Sequence, residues 1–220
     1  MSEFDTIHLV WRKGTGGRRF SVGVLQKAPD GRHIFKYTDN AGKYQREEGF
    51  TPYTEFQDLR KEYNGNIAEI FGQRLTKTDR PDSASFFNFW EVDPSKVKDK
   101  FYLLGKTQGL VATDNFEFLA EYHLAADTHF LTEVAGLSTI PLPTGTVKPG
   151  ELLRFELEPT NEHDPLAVKI FRGDTLLGYI KKYHNKIFHE KGGDKLRLSV
   201  KAVEQNGLIK RIFVRVFINK

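Results

Sequence analysis

The first 40 residues of the chain alternate between hydrophobic and polar positions in three short runs, IHLVWRK, RFSVGVLQK and HIFKYTD. An alternation with a period of two is typical of strands that bury one face. The segments GTGGR and APDGR separate the runs and supply glycine for the turns. We therefore predict an N-terminal β-meander. The GTGG segment is interpreted as a hairpin loop rather than a phosphate-binding loop, because no helix with a Lys-Ser/Thr pair follows it.

The pattern changes to helical spacing at about Phe50. Four segments carry hydrophobic residues three or four positions apart, and they are predicted to be short helices. In chain order they are EFQDLRKEY, NIAEIFGQRL, PDSASFFNFW and DPSKVKDKFYLLGKTQG. Pro81 suits the first turn of the third helix, and the fourth is expected to begin at Asp93 and Pro94. The aromatic residues of the third helix are interpreted as core residues; they are Phe86, Phe87, Phe89 and Trp90.

After about residue 125 the pattern becomes one of short strands. Six runs alternate or are apolar, and turn signals divide them: FLTEVAGL, ELLRFELEP, LAVKIFRG, TLLGYIKK, LRLSVKAVE and LIKRIFVRVFIN. One probable helix, YHNKIFHEKG, interrupts the series, and QNG between the last two runs is a strong hairpin signal. Six strands at this spacing predict a small barrel or a curled sheet. We thus expect an α+β chain with two domains, residues 1–125 and 126–220.

The composition is that of an ordinary globular protein, with 39% hydrophobic and 28% charged residues among 220. The chain has no cysteine, which excludes disulfides and thiolate metal sites. Its first residues, MSEFDTIHLVW, lack the features of a signal peptide, and no apolar run approaches the ~18 residues of a transmembrane helix. We expect a soluble, cytoplasmic protein.

The charge is distributed unevenly along the chain. Residues 1–125 carry 18 basic and 18 acidic side chains, whereas residues 165–220 carry 13 basic and four acidic ones. A local excess of this size suggests an anionic partner such as nucleic acid. A solvated basic face with no partner is the alternative that composition leaves open.

The turn EPTNEHDPLAV places an amide, an imidazole and a carboxylate, those of Asn161, His163 and Asp164, directly before an apolar strand. Two prolines, Pro159 and Pro165, stiffen this turn. In one interpretation Asn161 and Asp164 only cap backbone N–H groups within the turn. In the other, these side chains hydrogen-bond a ligand, as such groups do with base edges or a sugar hydroxyl.

The two following strands add basic and aromatic groups to this candidate site. Lys169 is the single charge inside the run LAVKIF, and Tyr179 precedes Lys181 and Lys182 in GYIKK. An aromatic ring beside paired lysines is the combination that binds single-stranded nucleic acid, through stacking and phosphate contacts. A half-buried strand position is the other interpretation of Tyr179. Gly178 would allow a backbone or a ligand to approach closely, because it has no Cβ.

These two segments resemble the HIRAN domain. The hallmark of that family is a turn and strand with Glu-Pro, Asn, Asp and Ala at fixed spacings, followed by Gly and His or Tyr. The matching residues are Glu158, Pro159, Asn161, Asp164, Ala167, Val168, Gly178, Tyr179 and Ile180. The resemblance implies a modified OB-like β-barrel that captures the 3′-hydroxyl end of single-stranded DNA.

The resemblance also implies roles for individual residues. Asp164 would contact the terminal hydroxyl and Asn161 would make a nearby polar contact. His163 would stand at a stacking position, Tyr179 where a polar ring meets the strand, and Lys182 at a phosphate. The predicted nucleic-acid-binding residues are Asn161, His163, Asp164, Lys169, Tyr179, Lys181 and Lys182. The chain departs from the family in GLSTIPLP, where Ser138 and Thr139 stand in place of an arginine and an aromatic residue.

A second resemblance covers the N-terminal half. VGVLQKAPDGRHIFKYTDN and the later KDKFYLLGKTQGLVATDNFEFLAEY are similar to the N-terminal subdomain of HipA-type kinases. The nucleotide loop, catalytic loop and metal-binding Asp motif of a kinase are missing from the sequence. The resemblance implies an alternative function, in which the chain is a regulatory or antitoxin-like subunit that docks on a HipA-type kinase.

The sequence offers little for catalysis. The pair His163–Asp164 could belong to a metal site, but His184 and His189 are five positions apart and do not share a helix face. No G-x-S-x-G nucleophile motif is present. We expect a protein that is not an enzyme, with no metal, no cofactor, no small-molecule substrate and no membrane partner.

Overall fold

The computed structural model describes residues 2–14, 17–111 and 114–218. Eleven β-strands and four α-helices lie in these ranges. The chain divides into two compact units, which we call the N-terminal unit (Ser2–Glu121) and the C-terminal unit (Tyr122–Lys220). From the sequence, the boundary was expected at residue 125. Within the described ranges, no helix is long and apolar enough to cross a membrane.

The N-terminal unit contains a five-stranded antiparallel sheet in the order β4-β3-β2-β1-β5. Its strands are β1 (Thr6–Arg12), β2 (Arg19–Lys27), β3 (His33–Tyr37), β4 (Tyr63–Gly65) and β5 (Phe116–Ala120). The first three pair in chain order, as the alternating pattern predicts. Arg12 pairs with Arg19 across the GTGG loop, whose residues 15 and 16 lie outside the described residues.

Four helices accompany this sheet: α1 (Ala41–Glu48), α2 (Ile67–Phe71), α3 (Ser83–Phe89) and α4 (Lys100–Thr107). The segments predicted as the second and third helices contain α2 and α3. The fourth helix begins later than expected, because the Asp99 carboxylate accepts the N–H of Tyr102, 3.0 Å away, and caps α4. Asp93 caps only the short 3₁₀ turn Pro94–Lys96.

The prediction of a helix over EFQDLRKEY was wrong. This segment forms turns and ends in β4, and a local bond network replaces helical bonds there. The Tyr63 hydroxyl donates to the Asp58 carbonyl and accepts the Asp58 N–H, while the Asp58 carboxylate accepts the N–H of Arg60. Such side-chain bonds compete with a helix. Helix α1 had no counterpart in the predictions.

Aromatic rings form much of the N-terminal core. Phe71 packs against Phe35, Phe56 and Phe118 with ring centroids 5.0–5.1 Å apart. Among the aromatic residues of the predicted third helix, the interpretation as core residues holds only for Trp90, which directly follows α3 and is 5% exposed. Three other aromatic residues of this helix are partly exposed; they are Phe86, Phe87 and Phe89.

The C-terminal unit contains six antiparallel strands in the order β6-β11-β10-β7-β8-β9. They are β6 (His129–Glu133), β7 (Leu152–Glu158), β8 (Ala167–Arg172), β9 (Thr175–Tyr179), β10 (Leu196–Asn206) and β11 (Leu208–Ile218). All six correspond to predicted runs, and Gly207, with φ 70°, forms the predicted hairpin between the last two. The predicted helix YHNKIFHEKG is reduced to the 3₁₀ turn Lys186–His189.

The expected barrel is not closed in the described part of the chain. Strand β7 pairs with β10 only through Leu152 and Leu153, and the two strands then diverge. One isolated antiparallel bridge, between Ala135 and Tyr179, joins the segment after β6 to the end of β9. The unit is therefore a curled sheet of two three-stranded halves, β6-β11-β10 and β7-β8-β9, rather than a continuous closed ladder.

Candidate nucleic-acid interface

The turn between β7 and β8 is organised by Asn161. Its Oδ1 accepts the backbone N–H groups of His163 and Asp164, at 3.0 and 3.1 Å. Its Nδ2 donates to the Glu158 carboxylate, 2.7 Å away. Asn161 thus caps backbone N–H groups within the turn, and both ends of its amide are used there. His163 projects from the same turn with its side chain exposed.

Asp164 is half-buried and joins the turn to a second segment of the unit. Its Oδ1 accepts the N–H of Leu166 at 3.0 Å, and its Oδ2 accepts a hydrogen bond from Asn185 Nδ2 at 2.8 Å. Asn185 also donates to the Leu166 carbonyl at 2.7 Å. Asp164 therefore also caps a backbone N–H group within the turn, that of Leu166. Each carboxylate oxygen carries two lone pairs, so these bonds leave acceptor capacity for a further donor.

Glu158, Lys169 and Tyr179 form a polar cluster across β7, β8 and β9. Lys169 Nζ lies 2.5 Å from Glu158 Oε1, and Lys169 is the strand partner of Tyr179. The hydrogen bonds from Lys169 and Asn161 lower the pKa of the Glu158 carboxyl, and the bond to Glu158 raises the pKa of Lys169. Burial, together with the Glu158 carboxylate, raises the pKa of Tyr179. The charge of Lys169 is therefore largely balanced by Glu158.

The structure corrects the prediction for Lys181. This side chain is 1% exposed, and its Nζ lies 3.0 Å from Glu133 Oε2. Arg211 Nε lies 2.8 Å from the other oxygen of the same carboxylate. Burial alone would raise the pKa of Glu133, but these two cations lower it to about 2. Lys181 is thus part of a buried ion pair and does not offer its ammonium group to a surface ligand.

Lys182 is exposed, as a phosphate-binding residue must be. It adjoins Tyr183, which was not among the predicted site residues. The ammonium groups of Lys182 and Lys186 each lie 5.8 Å from the centre of the Tyr183 ring. The only sequence signal for this arrangement is the run KKYHNK, in which a tyrosine lies between lysines.

The predicted residues therefore fall into two groups. Asn161 and Asp164 share one hydrogen-bonded turn with the cluster of Glu158, Lys169 and Tyr179. Lys182 lies on the segment that Asn185 binds to this turn. Across the described ranges, no hydrogen bond or ion pair joins the side chain of His163 or Lys182 to the cluster.

The histidines considered as metal ligands have separate partners. His184 Nδ1 lies 2.8 Å from the Thr132 hydroxyl oxygen, and His189 Nε2 lies 3.1 Å from the Leu166 carbonyl oxygen. The side chains that the structure describes contain no group of three or more histidines or acidic residues placed to hold a metal ion.

Two solved structures are similar to part of the chain. The crystal structure of a protein from Lactobacillus plantarum is 18% identical, with 41% of this chain and 98% of that chain covered and a TM-score of 0.31. The crystal structure of the HIRAN domain of human HLTF is 19% identical, with 42% and 77% covered and a TM-score of 0.33. No curated protein matches the chain.

The family model of the HIRAN domain matches residues 128–203. The match begins just before β6 and ends within β10, so it includes the Asn161–Asp164 turn, the polar cluster and Lys182. Strand β11 and the whole N-terminal unit lie outside it. Residues 128–203 of the chain are a HIRAN domain.

Proposed function

We propose that the C-terminal unit binds nucleic acid, with single-stranded DNA or a 3′-hydroxyl DNA end as its ligand. The observation that carries this proposal is the HIRAN domain at residues 128–203, which supports nucleic-acid binding. The excess of basic residues in residues 165–220 is a second support, because nucleic-acid affinity depends strongly on phosphate contacts. The proposed role is that of a cytoplasmic binding module, not an enzyme.

The ion pairs narrow down which cations would meet phosphate. Lys169 is paired with Glu158, Arg172 with Glu151, and Lys181 with Glu133 inside the protein. Lys182 is exposed and lies three residues after the end of β9, in the segment that Asn185 hydrogen-bonds to the turn of the candidate site. We therefore assign the phosphate contact to Lys182.

Asp164 is the acceptor proposed for a terminal hydroxyl. Bonds from Leu166 and Asn185 hold its carboxylate in one orientation, so a ligand would meet an ordered acceptor. A 3′-hydroxyl can donate to a remaining lone pair, whereas a 3′-phosphate would bring negative charge against the carboxylate. The exposed His163 ring on the same turn is proposed to stack on a terminal base.

Binding of labelled single-stranded oligonucleotides with a 3′-hydroxyl or a 3′-phosphate tests this proposal. Lys182→Ala is expected to weaken both ligands alike and to reduce the slope of log affinity against log salt by about 0.7, the value for one phosphate contact on a single strand. Asp164→Asn keeps an oxygen for the Leu166 N–H but removes the charge, and it is expected to abolish the preference for the hydroxyl end.

Lys36→Ala, at an exposed position of β3 in the N-terminal unit, is the matched control and should leave both affinities unchanged. The proposal is wrong if the unaltered protein binds neither oligonucleotide at low salt. Equal affinity for the two ends would overturn only the end recognition.

A second candidate function is docking of the N-terminal unit on a HipA-type kinase, as a regulatory or antitoxin-like subunit. The observation that favours it is the partly exposed group of Phe86, Phe87 and Phe89 on α3, since exposed apolar patches often mark protein interfaces.

Co-expression with a HipA-type kinase should give a complex whose two chains elute together from a sizing column. Phe87→Ser is expected to dissociate it, while Leu208→Ser, at an exposed apolar position of the C-terminal unit, should not. Separate elution of the unaltered chains would refute this candidate.

A further inference from the structure

Tyr183 has an unusual backbone conformation. It lies in the turn between β9 and the 3₁₀ turn Lys186–His189, with φ at 73°. This left-handed region is rare for bulky residues, and Gly or Asn is the usual occupant. Strain of this kind persists only where the surroundings enforce it, and it occurs often at functional sites.

The surroundings of Tyr183 do enforce it. The Asn185 N–H donates to the Lys181 carbonyl at 3.1 Å and closes the turn around Tyr183. The Asn185 side chain fixes the same turn to Asp164 and to the Leu166 carbonyl. Since Lys181 is held inside the protein by Glu133, the turn is fixed at both ends. The backbone at Tyr183, from which the ring projects, is therefore held in place before any ligand arrives.

The ring and its neighbours match the chemistry of a nucleotide. Tyr183 is partly exposed, and the ammonium groups of Lys182 and Lys186 each lie 5.8 Å from its ring centre. Single-stranded nucleic acid is bound by an aromatic ring for the base and cations for the adjoining phosphates. Both components are present here within the five consecutive residues from Lys182 to Lys186.

We propose that Tyr183 is a stacking platform for a nucleobase, with Lys182 and Lys186 contacting the phosphates on either side of it. This inference rests on the proposed nucleic-acid binding and adds a base-binding position to it. Asn185 lies two residues after Tyr183, so the Cα atoms of Tyr183 and Asn185 are at most about 7 Å apart. The side chain of Asn185 is hydrogen-bonded to Asp164. One bound strand would thus contact both Tyr183 and the Asp164 turn. Stacking on a ring favours no particular base, because every base presents a π-face.

Three variants of the full chain test the platform, with a short single-stranded oligonucleotide carrying 2-aminopurine as the probe. Tyr183→Phe keeps the ring and should bind with nearly unchanged affinity and quench the probe. Tyr183→Leu removes the ring and should weaken binding by about 5- to 150-fold, the range found for loss of one stacked base. Tyr183→Asn also removes the ring but suits the positive φ, so it should weaken binding equally while the melting temperature stays the same or rises.

The outcomes separate the two levels of the proposal. If the unaltered protein binds no oligonucleotide, the proposed function is wrong and the platform with it. If the unaltered protein binds, but Tyr183→Leu and Tyr183→Asn bind and quench as well as it does, only the platform is wrong. A Tyr183→Asn protein that melts at a lower temperature and keeps full affinity would show that the ring serves the fold instead.

Discussion

Replacing Gly178 by alanine is expected to destabilise the C-terminal unit by about 2–4 kcal/mol. A Cβ at this position would lie 2.3 Å from the Ala135 carbonyl oxygen and 2.6 Å from Val134 Cγ1, and φ at 142° is unfavourable for any residue with a Cβ. The same carbonyl oxygen accepts the Tyr179 N–H at 2.9 Å. Relief of the clash would therefore break the bridge that joins the two halves of the sheet.

Gly173→Ala is the matched control for this prediction. Its φ is 54°, and no heavy atom lies within 4 Å of the added Cβ, so only the conformational cost of about 1–2 kcal/mol remains. Urea unfolding followed by far-UV circular dichroism measures both variants. Tryptophan fluorescence does not suit the purpose, because Trp11 and Trp90, the only tryptophans of the chain, lie in the N-terminal unit. Equal losses for the two variants would contradict the clash.

Replacing Glu133 by glutamine is the second change with a large expected effect, a loss of about 3 kcal/mol at neutral pH. The variant removes the carboxylate that lies 3.0 Å from the buried Lys181 ammonium and 2.8 Å from Arg211 Nε. A buried cation left without its counter-charge is costly, because the interior does not replace its hydration. Adding Lys181→Met to Glu133→Gln should restore part of the loss, since the uncompensated charge is then removed as well.

The same carboxylate should give the C-terminal unit a pH-dependent stability. The pKa of Glu133 is about 2 in the folded protein against an ordinary value of 4.5. The ionised group therefore stabilises the fold fully above about pH 4.5, and this contribution is lost as the pH falls through the range from 4.5 to 2. Urea midpoints measured from pH 7 to pH 2.5 should fall more steeply for the unaltered protein than for Glu133→Gln. Parallel profiles would contradict the assignment of the acid sensitivity to Glu133.

The strands of the C-terminal unit could be predicted because each carries its own alternating pattern and the turns carry their own signals, such as Asn206-Gly207. What could not be predicted depends on contacts between distant segments. The short pairing of β7 with β10 has no local signal, and neither has the isolated bridge between Ala135 and Tyr179; together they leave the expected barrel open. The short strand β4 was not predicted either. The segment before it has hydrophobic residues at helical spacing, but it forms hydrogen bonds between Asp58 and Tyr63 instead of a helix.

In the candidate site, too, features with a local sequence signal could be predicted and features that depend on distant contacts could not. Residue types alone placed Asn161 and Asp164 in a polar turn, and the structure shows the bonds that such residues make there. Lys181 was misplaced because an aromatic residue beside paired lysines suggests that both lysines are exposed, whereas β9 ends at Tyr179 and Lys181 is buried. Tyr183 was missed because a positive φ is normally predicted only at Gly or Asn, and the sequence has a tyrosine at this position.

The interrupted pairing between β7 and β10 has a consequence for where the C-terminal unit is weakest. On one edge the two halves share two residue pairs of β7 and β10 and the adjoining backbone bonds of Val200 with Gly150 and Glu151. On the other edge they share the isolated bridge between Ala135 and Tyr179. Glu133 is the last residue of β6 in one half and Lys181 follows β9 in the other, so their ion pair joins the two halves beside that bridge. We therefore expect the C-terminal unit to open first between these halves when acid or denaturant breaks the ion pair.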